Sequence, residues 1–235
     1  MEKTKKVHYF ELSPGFQTAF FWLVQTFFRF VRKCCVRVHW VNRFPASAPV
    51  GCLVASNHNS HLDAHVIGAL VRRKIDWLSR IEFFRSRVIS FFLHAVSAIP
   101  IHRQGVPVRA IRTAMTRLRD GKTVGICPEG EVRSGAESVI YGGKIKRGVG
   151  LLAVRTGVPV VPCVVLGVQQ LCRLEPWLPA RRGEVWINFG EPIYPRQDLP
   201  GKEARELLCH ELENQFCELY RQIRERYELP EVVLP

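Results

Sequence analysis

The chain has 235 residues, 47% of them apolar, and a net charge of +13 from 34 Lys and Arg against 21 Asp and Glu. That length and apolar content exclude a disordered chain and suit one α/β domain, or a domain with a short appendage. The charge predicts attraction to polyanions: nucleic acid, an anionic membrane surface or a phosphorylated small molecule.

The chain opens basic and aromatic. Met1 to Pro45 holds eight Lys/Arg and two acids, whereas Lys202 to the end holds eight Glu and five Lys/Arg. Within the front, Phe16 to Val31 reads as one apolar, aromatic helix. Its length, about 24 Å as a helix, falls short of a hydrocarbon core of about 30 Å. Lysines precede it and Ala46–Ser47–Ala48 follows, but basic residues intervene in the wrong order for a cleaved leader. The pattern predicts a helix lying in a membrane interface, with Arg32, Lys33, Arg37 and Arg43 near lipid phosphates. The alternative is a helix packed on the protein's own core.

Strand and helix signals then alternate. Val36–Val41 and Val50–Ser56 read as strands, and a helix follows from about Ser60 to Arg72. Arg87–Val96 reads as a buried helix and Ala98–Arg103 contains a short strand. Val108–Gly121 is an amphipathic helix stopped by Gly121. Thr123–Gly130 is a strand running into a polar loop. Lys146–Gly157 is helical, and Val158–Gly167 and Glu184–Gly190 are strands. From Lys202 to Tyr227, Leu208, Leu212, Phe216, Leu219, Ile223 and Tyr227 share one helical face. The alternation predicts a single, mostly parallel sheet flanked by helices, with residues 1–35 as the interface helix and 36–235 as the α/β domain. No repeat or long linker interrupts it.

Eight cysteines suggest disulfides by parity alone, yet Cys34 and Cys35 are adjacent and no Cys-x-x-Cys pair occurs. They read as reduced core residues of a cytosolic protein. Gly148–Ala153 loosely fits a dinucleotide glycine pattern but follows no strand. Gly121–Thr123 lacks the upstream glycine of a phosphate loop, and there is no Gly-x-Ser-x-Gly elbow. The aromatics cluster in apolar runs rather than interleaving with Arg and Lys, which argues against nucleic acid.

The densest polar chemistry is Asn57–Asp63, "NHNSHLD", behind an apolar strand. Three readings fit these residues. His61 and His65 could share a metal, although the His-Glu-x-x-His spacing fails and no third ligand is evident. Ser60 and Asp63 could form a capping-box-like helix start. His58 could fold back on Asp63, which would fix its tautomer and leave the other nitrogen as a general base. Downstream, Arg103 ends one strand and Glu129, Gly130 and Arg133 follow another. Lys144, Lys146 and Arg147 precede a helix. In a parallel sheet these ends gather on one edge, where cations and a base suit a phosphorylated substrate bearing a hydroxyl.

Four blocks in order resemble the glycerolipid and lysophospholipid acyltransferases, the 1-acylglycerol-3-phosphate acyltransferase-like proteins among them. "NHNSHLD" resembles the family's His, four residues, Asp motif. "AIPIHR" resembles the second block, "PEGEVRSG" the third, and "VPVVP" (Val158–Pro162) the fourth, with "KRG" in its usual place. The resemblance covers roughly residues 36–195. It implies that His58 is the general base and Asp63 its orienting carboxylate. It places Arg103, Glu129, Gly130, Arg133 and Lys146 in the acceptor site. It also implies transfer of a fatty acyl group from acyl-CoA or an acyl carrier protein to a lysophospholipid hydroxyl, chiefly that of 1-acylglycerol-3-phosphate, with neither metal nor cofactor. The expected setting is the cytoplasmic face of an anionic membrane, as a monotopic or peripheral protein. Arg72, Arg73, Lys74, Arg85 and Arg87 would add to the contact with lipid. Another lysolipid acceptor, or a non-catalytic membrane-binding module, are the alternatives.

Two features depart from the family pattern. Its third block is usually Glu-Gly-Thr-Arg-Ser, whereas Glu131 and Val132 here separate Gly130 from Arg133. Either the loop is longer or Arg133 is not the phosphate ligand. Ser97 stands where the second block usually has a glycine.

Overall fold

The computed structural model describes residues 7–102, 107–172, 183–231 and 234. Helix α1 (Pro14–Cys35) leads into strand β1 (Val36–Trp40). Then come β2 (Leu53–Ser56), α2 (Asp63–Leu70), β3 (Ile75–Arg80), α3 (Arg87–Ala95) and β4 (Ile99–Ile101). The chain continues through α4 (Val108–Arg119), β5 (Thr123–Ile126), α5 (Gly148–Thr156), β6 (Val160–Leu166), β7 (Gly183–Phe189) and α6 (Gly201–Arg226).

The strands form one sheet in the order β1-β7-β6-β2-β5-β3-β4. All neighbours are parallel except β6 and β7, where Cys163 lies opposite Phe189 and Leu166 opposite Trp186. The expected mostly parallel α/β architecture is what the chain adopts. Side chains alternate between two apolar layers, as a period of two requires. Leu53, Ala55, Val160 and Val164 pack under α4, α5 and α6. Cys52, Val54, Val161 and Val165 pack against Ile67 and Val71 on the α2 side. Helix α6 buries Leu208, Leu212, Phe216, Leu219 and Ile223, the face its periodicity predicts.

Several expectations are corrected. Strand β3 was not foreseen. It carries Asp76, Ser79 and Arg80 among its apolar residues, and Asp76 is buried because Arg117 of α4 reaches it at 2.8 Å. Helix α3 is not buried: Val88 is 80% exposed, and Ile89 and Phe91 are also open. It lies beside α1, where Phe20 meets Phe91 and Phe92 edge-on. Helix α2 starts at Asp63, not Ser60, and no side chain caps its first residue. The cysteines are not uniformly core residues: Cys52, Cys163 and Cys209 are buried, but Cys34 and Cys172 are exposed.

Helix α1 packs one face on the domain and leaves another exposed. Phe21 and Gln25 are buried against the domain, while Leu23, Phe27 and Phe30 are more than 60% exposed. Among the described residues no helix is long and apolar enough to cross a membrane. The basic residues nearby divide likewise. Arg73 is turned inward, donating to the carbonyls of Pro49 and Ala48 at 2.5 and 2.9 Å.

Candidate active site

In the parallel block, β2, β3, β4 and β5 end on one edge, and each delivers residues to a cavity of about 350 Å³. His58 follows β2, Arg80 ends β3, His102 follows β4, and Cys127, Pro128 and Gly130 follow β5. Helices α1 and α3 close it with apolar side chains such as Phe21, Val24 and Leu93, and Trp77 and Ile111 complete the wall. Polar groups are thus concentrated where the strands end.

The loop after β2 is fixed by its asparagines. Asn57 is fully buried and prolongs the β2–β6 pairing with its side chain, accepting from the Val165 N–H at 2.8 Å and donating to the Val165 carbonyl at 2.9 Å. Asn59 donates to the same carbonyl at 3.0 Å. His58, between them, is left to turn toward the cavity.

His58 Nδ1 lies 3.0 Å from Asp63 Oδ2. The same carboxylate oxygen accepts the N–H groups of Asn59 and Ser60, each at 2.9 Å. Asp63 therefore does what the acid of a capping box does, reaching back to the loop, and holds the imidazole as well. Burial pushes its carboxyl above the usual aspartate range, while the His58 ring and the N–H groups of Ser60 and Asn59 pull it back. With Nδ1 committed to Asp63, the opposite ring nitrogen of His58 is the one available to a ligand in the cavity.

Glu129 is fully buried. One oxygen accepts the His58 N–H at 2.5 Å; the other accepts the Val139 N–H at 2.8 Å and the Ser138 hydroxyl at 3.1 Å. Burial pushes this carboxyl up, against the pull of those three donors. Its geometry is that of a clamp behind the histidine rather than a group facing the cavity.

Gly130 and Lys146 do line the cavity. Gly130 has a φ of 80°, and a Cβ there would lie 2.6 Å from the Lys146 Cε, so the absence of a side chain lets the lysine cross the loop. Lys146 is exposed, and the Lys146 N–H donates to Pro128 at 2.8 Å to tie the two loops together. Arg133 does not line the cavity. Its guanidinium donates to the Lys144 carbonyl at 3.0 Å, and its N–H donates to the His58 carbonyl at 3.3 Å. Arg103 lies outside the described residues. Sequence reasoning missed Arg80 because it sits on the unforeseen strand. His61, 6.2 Å ring to ring from His58, lines the cavity. No group of three potential ligands occurs among the described residues.

Residues 35–166, more than half of the chain, match the family model described as Acyltransferase. The 1-acyl-sn-glycerol-3-phosphate acyltransferase of Bacillus subtilis (strain 168) is 27% identical over 187 residues, covering 78% of this chain and 87% of that protein. A chloroplastic 1-acyl-sn-glycerol-3-phosphate acyltransferase of Brassica napus is 28% identical over 174 residues, 73% of this chain and 47% of that one. Among solved structures, the 1-acyl-sn-glycerophosphate acyltransferase PlsC of Thermotoga maritima shares the fold, with a TM-score of 0.67 at 20% identity over 91% of this chain and 83% of that chain.

Proposed function

The chain belongs to the acyltransferase family, and we propose that it moves a fatty acyl group from acyl-CoA or an acyl carrier protein to the free hydroxyl of 1-acylglycerol-3-phosphate, giving phosphatidic acid. The observation that carries this reading is the His58–Asp63 pair at 3.0 Å, set at the polar end of an apolar cavity.

The chemistry follows from that placement. The acceptor hydroxyl gives its proton to the free ring nitrogen of His58 as its oxygen attacks the thioester carbonyl. The imidazolium is stabilised by Asp63, as an orienting carboxylate does in a Ser-His-Asp triad. The tetrahedral intermediate collapses, the carbon–sulfur bond breaks, and the proton passes from His58 to the departing thiolate, which leaves as the thiol. No covalent acyl-enzyme forms, and no metal or cofactor enters the sequence of steps. General-base catalysis supplies about 10²–10⁴-fold, and positioning supplies much of the rest.

The apolar cavity takes the acyl chain. Gly130 and Lys146 form the acceptor side, where Lys146 has the exposure needed to meet a phosphate, and the family resemblance adds Arg103. Arg133 favours a second reading, the same reaction on another lysolipid, because its guanidinium is tied to the Lys144 carbonyl instead of the cavity. The exposed aromatics of α1 and the basic residues beside them support a monotopic or peripheral placement on the cytoplasmic face of an anionic membrane.

The test is thiol release from acyl-CoA by the purified protein in detergent, with and without 1-acylglycerol-3-phosphate, beside His58→Ala. Release that requires the lysolipid and falls about 10³-fold in the variant is the expected result. Release unchanged in the variant would remove His58 as the base, and release only with a different lysolipid would establish the second reading.

A further inference from the structure

Gly125 lies within β5 and has no positive φ, so its backbone does not call for a glycine. A glycine inside a strand has no side chain to pack, and it marks a place where another group comes close. Here that group is the Trp77 indole. A Cβ at Gly125 would stand 2.4 Å from Trp77 Cδ2 and 2.5 Å from Trp77 Cε3, closer than packed atoms allow. The indole therefore rests on the bare backbone of β5, in the space that a side chain would fill. The two residues are register partners across the β3–β5 pairing.

Trp77 also lines the cavity. Successive residues of a strand point to opposite sides, so Ile75, Trp77 and Ser79 share one face of β3. All three line the cavity together with His58, whereas Asp76 does not. That face makes a track along the strand. At its C-terminal end, Ser79 and Arg80 lie on the edge that carries His58. At its start, Ile75 is buried, and Phe21 of α1 stands nearby, its ring 6.0 Å from the Lys74 Nζ. Trp77 lies between these ends and is the largest of the three side chains. Its partner Gly125 is also level with Val54 of β2, four residues before His58. At about 3.3 Å per residue, the indole sits up to about 13 Å behind the base. It is only half-buried, so the ring is open to a chain lying in the cavity.

We propose that Trp77, seated on Gly125, limits the length of the acyl chain that the cavity accepts. A chain whose thioester carbonyl is at His58 runs inward along the β3 track and meets the indole. Methylenes short of the ring leave water and add to binding. Those that would lie beyond it find their space occupied. Gly125 sets how far back the ring stands, because any side chain at that position drives the indole into the track.

This inference deepens the proposed acyl transfer and rests on it, and binding read without an acceptor lets the two fail separately. Saturated acyl-CoAs of stepwise increasing length are titrated into the parent, Trp77→Ala, Gly125→Ala and the double variant. In the parent, affinity should rise about fourfold per methylene up to one length and then level off. Trp77→Ala should keep rising past that length, and Gly125→Ala should level off at a shorter one. In the double variant the added methyl group has no indole to push, so it should follow Trp77→Ala. Trp77→Phe, which keeps a single ring, should fall between the parent and the alanine protein, and it guards against Trp77→Ala failing to fold. An unchanged length limit in both Trp77 variants would overturn the proposal, as would a Gly125→Ala effect that persists without the indole. Acyl transfer itself stands or falls on lysolipid-dependent thiol release by the parent.

Discussion

The backbone N–H of His58 donates to the fully buried carboxylate of Glu129 at 2.5 Å, so the residue after β5 sets the height of the loop after β2. The other oxygen of that carboxylate holds Ser138 and Val139, which makes Glu129 the joint of three segments. Glu129→Ala strands three donors in the interior, each worth about 1–3 kcal/mol. We expect a loss of several kcal/mol in thermal or denaturant unfolding, together with a fall in kcat of about 10²-fold or more. Glu129→Gln keeps one acceptor oxygen and should lie between the two. A fully active Glu129→Ala protein would show that the clamp does not position the base.

Asp63 makes a pH-dependent prediction. The folded protein holds the Asp63 proton more tightly than the unfolded chain does, because burial outweighs the donors around it. Between the ordinary value of 3.8 and the raised one, stability therefore falls as pH rises. Activity runs the other way: the ionised carboxylate is the form that stabilises the imidazolium made when His58 takes the proton. We expect kcat/KM to fall on the acid side as the His58–Asp63 pair takes up a proton, with an apparent pKa that belongs to the pair. Asp63→Asn should lower kcat by about 10²–10⁴-fold, as loss of an orienting carboxylate does. A variant with an unaltered profile would place the acid limb elsewhere.

How much of this was legible in the sequence depends on the reach of each interaction. The His58–Asp63 relation is local, five residues apart, and reads directly. The periodic faces of α6 and the apolar run of β6 read just as well. Strand β3 did not, because Asp76 interrupts it and the group that neutralises Asp76, Arg117, comes from 41 residues away. Glu129 read as an acceptor-site residue beside Pro128 and Gly130; its inward direction is set by the N–H groups of His58 and Val139, which the fold brings together. Exposure of α3 was equally hidden, since an apolar helix beside α1 and one beneath the sheet have the same composition.

Ser97 offers a test of backbone strain. It has a φ of 62°, in the left-handed region where a side chain costs about 1–2 kcal/mol. This is the position where the family pattern has a glycine. Its hydroxyl donates to Gln17 at 3.2 Å, and its carbonyl accepts from Arg117. Ser97→Gly relieves the strain but gives up the bond to Gln17, so we expect a net gain of up to about 1 kcal/mol. Ser97→Ala keeps the strain and loses the bond, and it should melt below the parent. Calorimetry on the three proteins decides this, and a glycine variant less stable than the alanine one would contradict it.

The exposed face of α1 predicts membrane affinity that can be removed without touching the fold. Leu23, Phe27 and Phe30 fall at i, i+4 and i+7, on one stripe, and each is more than 60% exposed. Val88 and Ile89 of α3 lie open as well, and α3 packs against α1 through Phe20. Burying one such side chain in a bilayer interface is worth about 1.5–3 kcal/mol, tenfold or more in partitioning. The basic residues of α1 and β1 add an electrostatic part that salt screens. Leu23→Ser, Phe27→Ser and Phe30→Ser combined should abolish sedimentation with vesicles containing an anionic phospholipid. The melting temperature should hold, because these side chains touch solvent rather than core. Raised salt alone should weaken binding only in part, since the apolar contribution survives it. Undiminished binding by the triple variant would mean that this face does not meet the lipid, and the aromatic stripe would then need another partner.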